Sequence, residues 1–205
     1  SDDHSGVREH ALKLAEQFAA ETPDIQEQII ANSSHSEIRV RFQAAFSLGV
    51  VDSDEACAAL SRLAVRDGND PWFRVAVLSS AGGRQAKVFR LLLADQQVRF
   101  SQHGRELLTQ LGSQIAGAGD VQAVRDLAGE VADLPPAESS LANAVIRRAA
   151  LDAGSAEVAR TLLACGGRTQ EIMEAQLTLA RRTVTDESKK SAARVSAIRL
   201  LSLLD

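Results

Sequence analysis

Apolar positions in the first 95 residues recur with helical spacing, and the recurrence itself repeats. Ile38, Phe42, Ala45 and Phe46 stand at i, i+4, i+7 and i+8, which places them on one face of a helix. Ala56, Ala59, Leu60 and Leu63 give a second face of this kind, and Val88, Leu91 and Leu92 begin a third. Three segments align without gaps at a spacing of 33 residues: VREHALKLA from Val7, VRFQAAFSLG from Val40 and FRVAVLSSAG from Phe73. Arg8, Arg41 and Arg74 fall in register, as do Ala11, Ala44 and Val77. Gly49 and Gly82 also match, with Glu16 in the first copy. A fourth copy, ARVSAIRLL from Ala193, puts Arg194 at the arginine position but out of phase with the others.

The boundaries carry matching punctuation. Ser34 with Glu37 fits a capping box, and Asp52 with Glu55 is a weaker version. Asp70-Pro71 places an N-cap before a proline at the first helical position. Gly49 and Gly82-Gly83 suit the left-handed residue that ends a helix. Downstream the period blurs. Leu107, Leu108, Leu111 and Ile115 form one face, and Val121, Val124, Leu127 and Val131 the next. After Pro135-Pro136 a helix runs through Leu141, Val145 and Ala149. Val158 and Leu162 mark a short helix before Cys165-Gly166-Gly167, and Ile172, Leu177, Ala180 and Val184 mark another. No stretch shows convincing strand alternation; VLSSAGG reads as a helix end by its register with the other copies.

Helix pairs repeating every 30 to 45 residues cannot bury their apolar faces singly, so they stack around a shared core. The pattern therefore predicts an all-α fold of the alpha-solenoid kind (alpha-alpha superhelix), with at least ten helices in a right-handed curved array. Residues 1–205 read as a single helical-repeat domain, regular over 1–95 and built of irregular, longer helices over 96–205. Leu12, Phe42, Ala45, Leu60, Leu63, Val77, Leu92, Leu111, Val124 and Leu162 are the expected core, with Phe42 its costliest member to truncate. An arginine early in the first helix of each pair favours a HEAT-like label, and the aromatic-rich TPR pattern is missing.

Composition narrows the function. Hydrophobic residues make up 45% of the chain and aromatics 3%, with one Trp and no Tyr, so Ala, Leu and Val carry the core. The formal charge of −4 lacks the basic excess that a duplex-binding surface needs to displace counterions. The doublets Arg147-Arg148, Arg181-Arg182 and Lys189-Lys190 have acids nearby and read as solvated faces. No apolar run approaches the roughly 20 residues that cross a bilayer. Cys57 and Cys165 sit among Ala and Leu and read as buried small apolar residues.

The arginine series Arg8, Arg41, Arg74 and Arg194 is the strongest candidate feature. Glu37 precedes Arg41 by one turn and Asp70 precedes Arg74, whereas His4 precedes Arg8. Such pairs favour a structural ladder over the alternative, a basic groove for an anion. Trp72 opens a helix and is expected to cover a seam between repeats, or else to serve as an exposed anchor for a partner. The four histidines form no HxxxH or HExxH pair, and no GxSxG, P-loop, CxxC or CxxCH motif occurs. Gly117-Ala118-Gly119-Asp120 reads as a turn leading to an Asp N-cap. No residue is therefore assigned to catalysis, a cofactor or a metal. Ala193 to Leu204 reads as the first helix of a further repeat, with Val195, Ile198, Leu201 and Leu204 as its stripe. So apolar a last helix predicts that the chain is a piece of a longer protein, with weak self-association through that helix.

GVREHALKLAE, EIRVRFQAAFSLG and DPWFRVAVLSS together resemble the helical-repeat region of large bacterial proteins abundant in planctomycete-type lineages. Those proteins join a sugar-dehydrogenase-like beta-propeller, a HEAT-like region and a haem c domain. The resemblance covers about the first 95 residues. It implies a periplasmic or exported redox parent in which this domain spaces or docks the other modules, and it carries over no catalytic residue. The expected function is a non-catalytic scaffold or protein-interaction module whose partners are other domains of the parent or another protein, not nucleic acid or membrane. The alternative is an enzyme or ligand-binding domain on the same fold. A DNA glycosylase-like version needs a basic, aromatic-lined face, and a lyase-like version needs a groove with reactive acids or Cys.

Overall fold

The alanine- and leucine-rich segments with 3.6-residue spacing form helices wherever a cap or glycine starts or stops them. In a computed structural model describing residues 4–204, the chain folds into 13 α-helices and two short 3-10 turns, with no strand among the described residues. In order these are α1 (Ser5–Ala15), α2 (Pro23–Asn32), α3 (Ile38–Ser47), α4 (Asp54–Asp67), α5 (Pro71–Ser80), α6 (Gln85–Ala94) and α7 (Gln96–Phe100). They continue as α8 (Gln102–Gly117), α9 (Val121–Ala132), α10 (Ser139–Asp152), α11 (Ala156–Ala164), α12 (Gly167–Thr185) and α13 (Ser191–Ser202). The chain divides between Leu107 and Leu108, inside α8, into two compact units. The change of sequence pattern near residue 95 lies a little upstream of that division.

In the first unit, odd-numbered helices form a row, α1 against α3 and α3 against α5, and α4 packs on α2, α5 and α6. Leu48, Leu60, Leu63, Phe73, Val77, Phe89 and Leu92 are buried between them. Helix α3 departs from the expected face. Val40, Ala44, Ala45 and Leu48 are fully buried, while Ile38 is 50% exposed, Phe46 38% exposed and Phe42 only half-buried. Helix α3 has neighbours on both sides in the row as well as α2 and α4, and small side chains let those helices approach. The bulky residues are left on the open side of the row. Phe42 is therefore not the best-buried ring; Phe73 and Phe89 are. The other expected core positions, Leu12, Ala45, Leu60, Leu63, Val77, Leu92, Leu111, Val124 and Leu162, are buried.

The caps also differ in part. Asp70 caps α5 as expected, accepting from the Trp72 N–H at 2.8 Å. Helix α3 instead starts after Glu37 rather than at Ser34, and the Glu37 N–H donates to His35 Nδ1 at 3.0 Å. Ser53, not Asp52, caps α4 by accepting from the Ala56 N–H. Gly83, with φ of +75°, supplies the left-handed residue after α5, while Gly49 lies within a 3-10 turn without positive φ.

In the second unit, α9 packs on α10, α11 and α12, and α12 packs on α10, α11 and α13. Its interior holds Leu111, Leu127, Leu141, Val145, Ile146, Leu162 and Met173. Gly112 lets α8 approach α10: a Cβ there would lie 2.8 Å from Val145 Cγ1. Asp120 caps α9 as expected, accepting from the N–H groups of Gln122 and Ala123. Helix α13 buries Ala197 and Leu200, and the expected stripe faces elsewhere, with Val195 46% and Ile198 51% exposed. Helix α12 is its main neighbour, and the small Ala197 allows the close contact that Val195 and Ile198 would prevent.

Candidate functional site

The arginines of the 33-residue register reach backwards. Arg41 donates Nη1 to the carbonyls of His35 and Ser36 at 2.9 and 2.7 Å. Its Nε and Nη2 donate to the two carboxylate oxygens of Asp67, at 2.8 and 2.7 Å. The two side chains are 6% and 8% exposed. The hydrogen bonds that Arg41 donates to Asp67 raise its pKa above the ordinary value, against the opposing effect of burial. Glu37, the local partner suggested by the sequence, adds only a weaker charge effect. Arg74 repeats the backbone part of this device: its Nη1 donates to the carbonyls of Gly68 and Asn69 at 2.8 and 3.2 Å. Its carboxylate partner is Glu106, at 3.4 Å, rather than Asp70. Arg99 continues the device, donating Nη1 to the Leu93 carbonyl at 2.6 Å. Arg194 departs from it, donating Nε to the Val184 carbonyl at 3.2 Å. Arg8 lines a shallow cleft between α1 and α2 with Val7, Leu12 and Ile29.

A second arginine pair carries its own sequence signal. Gly82-Gly83-Arg84 and Gly166-Gly167-Arg168 are the same tripeptide, and each stands at the start of a helix. Arg84 donates to the carbonyls of Val51, Leu48 and Ser80, and Arg168 to those of Ala132 and Leu134. Each guanidinium thus meets carbonyls near the end of a helical segment 33 to 36 residues earlier. Their glycines take the left-handed conformation at Gly83, Gly166 and Gly167.

Arg41, Arg74, Arg84, Arg99, Arg168 and Arg194 are occupied with carbonyls near helix ends; a cluster of open aromatic side chains lies on the row of odd-numbered helices. Phe42 stands edge-on to both Phe46 and Phe73, with ring centroids 5.2 Å apart in each pair. Ile38, Phe42, Trp72 and Phe73, with Glu9, Arg39 and Asp70 at the edge, line a groove of about 390 Å³. Trp72 is 69% exposed, so it does not cover a seam between repeats. Its place at the second position of α5, just after the Asp70 cap, turns the indole outward. Arg39 is bound across the row to Glu9, Nη2 to Oε2 at 3.0 Å.

Among the described residues, no three His, Cys, Asp or Glu side chains stand together as metal ligands would, and no helix is long and apolar enough to cross a membrane. Cys57 is buried as expected, but Cys165 is exposed, at the C-terminal cap of a short helix. Both are free thiols, and desolvation raises the pKa of each. The Cys165 thiol donates to the Thr161 carbonyl at 3.2 Å.

No family model matches the chain, and no curated protein matches it. A solved structure similar to it is that of an engineered protein, 13% identical, with a TM-score of 0.44 over 100% of this chain and 92% of the other.

Proposed function

We propose that the chain is a non-catalytic HEAT-like solenoid acting as a scaffold or protein-interaction module, with the groove at Trp72 as its contact surface. The observation that carries this reading is the open aromatic cluster on the row of odd-numbered helices. Large apolar rings at the surface lose the benefit of burial, and a cluster of them with a central Trp is the usual composition of an interface hot spot. The repeat part of the reading is supported by the row itself and by two arginine devices, each of which recurs along the chain. Arg41, Arg74 and Arg194 act in this scheme as internal clamps rather than as an anion groove. Following the resemblance of the first 95 residues, the partner belongs to the same exported redox parent or binds it.

Selection of displayed random peptides on the purified chain tests the reading. Peptides enriched on the wild type should be lost on a Trp72→Ser, Phe42→Ala variant whose helical circular dichroism is unchanged. Equal enrichment on both proteins, or none on either, would move the contact surface elsewhere or remove it.

A further inference from the structure

We infer that the groove accepts an amphipathic helix of a partner protein that carries basic side chains beside its apolar anchors. This deepens the interaction reading above and rests on it. The groove supplies two kinds of chemistry. Its floor and walls are apolar: Ile38 and Phe42 from α3 and Trp72 and Phe73 from α5 line it, and the exposed Phe46, edge-on to Phe42, continues the i, i+4, i+8 ridge of α3 beyond the lining. Eight residues of helix span about 12 Å, so the ridge matches roughly two turns of an incoming helix with anchors at i, i+3 or i+4, and i+7.

The edge is acidic. Glu9 and Asp70 line the groove, and the exposed Glu37 adjoins Ile38. Arg39 is the one cation among the lining residues, and Glu9 already holds it at 3.0 Å. Asp70 uses Oδ1 to cap α5 and stands exposed. Two exposed carboxylates, Glu37 and Asp70, stand at the starts of α3 and α5; Asp70 lines the groove, and Glu37 adjoins it with only a weak charge effect on the buried Arg41. A basic flank complements them, and an acidic flank meets like charge. The open face of the Trp72 indole adds a cation–π surface suited to Arg or Lys.

Trp72 is the chain's single Trp, so its emission reports on this groove alone. Two synthetic helical peptides with identical leucine anchors, one flanked by Lys and Arg and the other by Glu, are titrated into the full chain. The basic peptide should shift the emission to the blue and saturate, with the acidic one about tenfold weaker. Added salt should narrow that difference. Glu37→Gln with Asp70→Asn should weaken the basic peptide by about threefold or more, since Asn still caps a helix and α5 is preserved. Acidic and basic peptides binding equally, or the acidic one binding better, would overturn the charge inference while leaving an interaction groove. No response of Trp72 to either peptide would overturn both the inference and the reading beneath it. A blue shift that grows with chain concentration in the absence of peptide would assign the groove to a second copy and overturn the inference.

Discussion

Asp67 lies 26 residues from Arg41, and the two form the best-buried ion pair among those described. Removing one member of such a pair leaves a desolvated charge behind. Asp67→Ala should therefore cost about 3 kcal/mol or more in urea denaturation. Glu106→Ala should cost under about 1 kcal/mol, because Glu106 is 46% exposed and solvent screens its pair with Arg74. The arginine register was legible in the sequence, but its partners were not. Local spacing pointed to Glu37 and Asp70, whereas the carboxylates that bind are brought in by the following helices. The two thiols make a second contrast at this scale. Burial raises the Cys57 pKa, so the folded state holds the proton more tightly than the unfolded chain. That stability is fully present below the unfolded thiol value of about 8.5 and is lost as pH rises through the folded value. As pH rises above about 8.5, wild type should thus lose stability faster than Cys57→Ala. In native buffer a thiol reagent should modify Cys165 and reach Cys57 only on unfolding.

Helices were read from their period, and the period is indifferent to which of two apolar stripes a crowded helix buries. Helix α3 and the 3-10 turn after it carry Ile38, Phe42 and Phe46 on one stripe and Val40, Ala44 and Leu48 on another, and the row selects the smaller set. Residue size ranked Phe42 first in the sequence; packing ranks Phe73 and Phe89 above it. Phe73→Ala should cost about 3–5 kcal/mol, and Phe42→Ala clearly less, since Phe42 keeps part of its ring in water in the folded state. Equal losses in thermal or urea melts would mean that the groove is closed in solution. Helix starts show the same division between local and distant causes. Asp70 and Asp120 were legible because an Asx cap acts within three residues, and Asp120→Ala should cost about 1 kcal/mol. The start of α3 was misread because the first turn begins only after His35 has accepted the Glu37 N–H. The candidate groove itself was half legible. The Asp70 cap and the place of Trp72 in the first turn of α5 are local signals, but whether a neighbour covers the indole depends on how α3 and α5 pack, which no local pattern encodes.

Two interiors, one on each side of the division at Leu107 and Leu108, set what the whole molecule does when it is perturbed. Phe73, Phe89 and Leu60 belong to the first, and Leu141, Ile146 and Leu162 to the second. Stability is not uniform across a fold, so a defect is felt most by the helices packed beside it. Trp72 lies in the first unit, whereas far-ultraviolet circular dichroism samples every helix. Ile146→Ala, which empties a fully buried site in the second unit, should cost that unit about 2–5 kcal/mol. The dichroism transition in urea should broaden and begin earlier, while the Trp72 emission transition stays near its wild-type midpoint. Two probes that separate in this way report more than one cooperative block; two that move together would show that the interiors unfold as one. The same separation bears on the groove. A ligand held at Trp72 stabilises only what unfolds with that site, by about 2.7 kcal/mol at a hundredfold excess over Kd. With the basic peptide bound, the emission transition should move to higher urea and the part of the dichroism change belonging to the second unit should not.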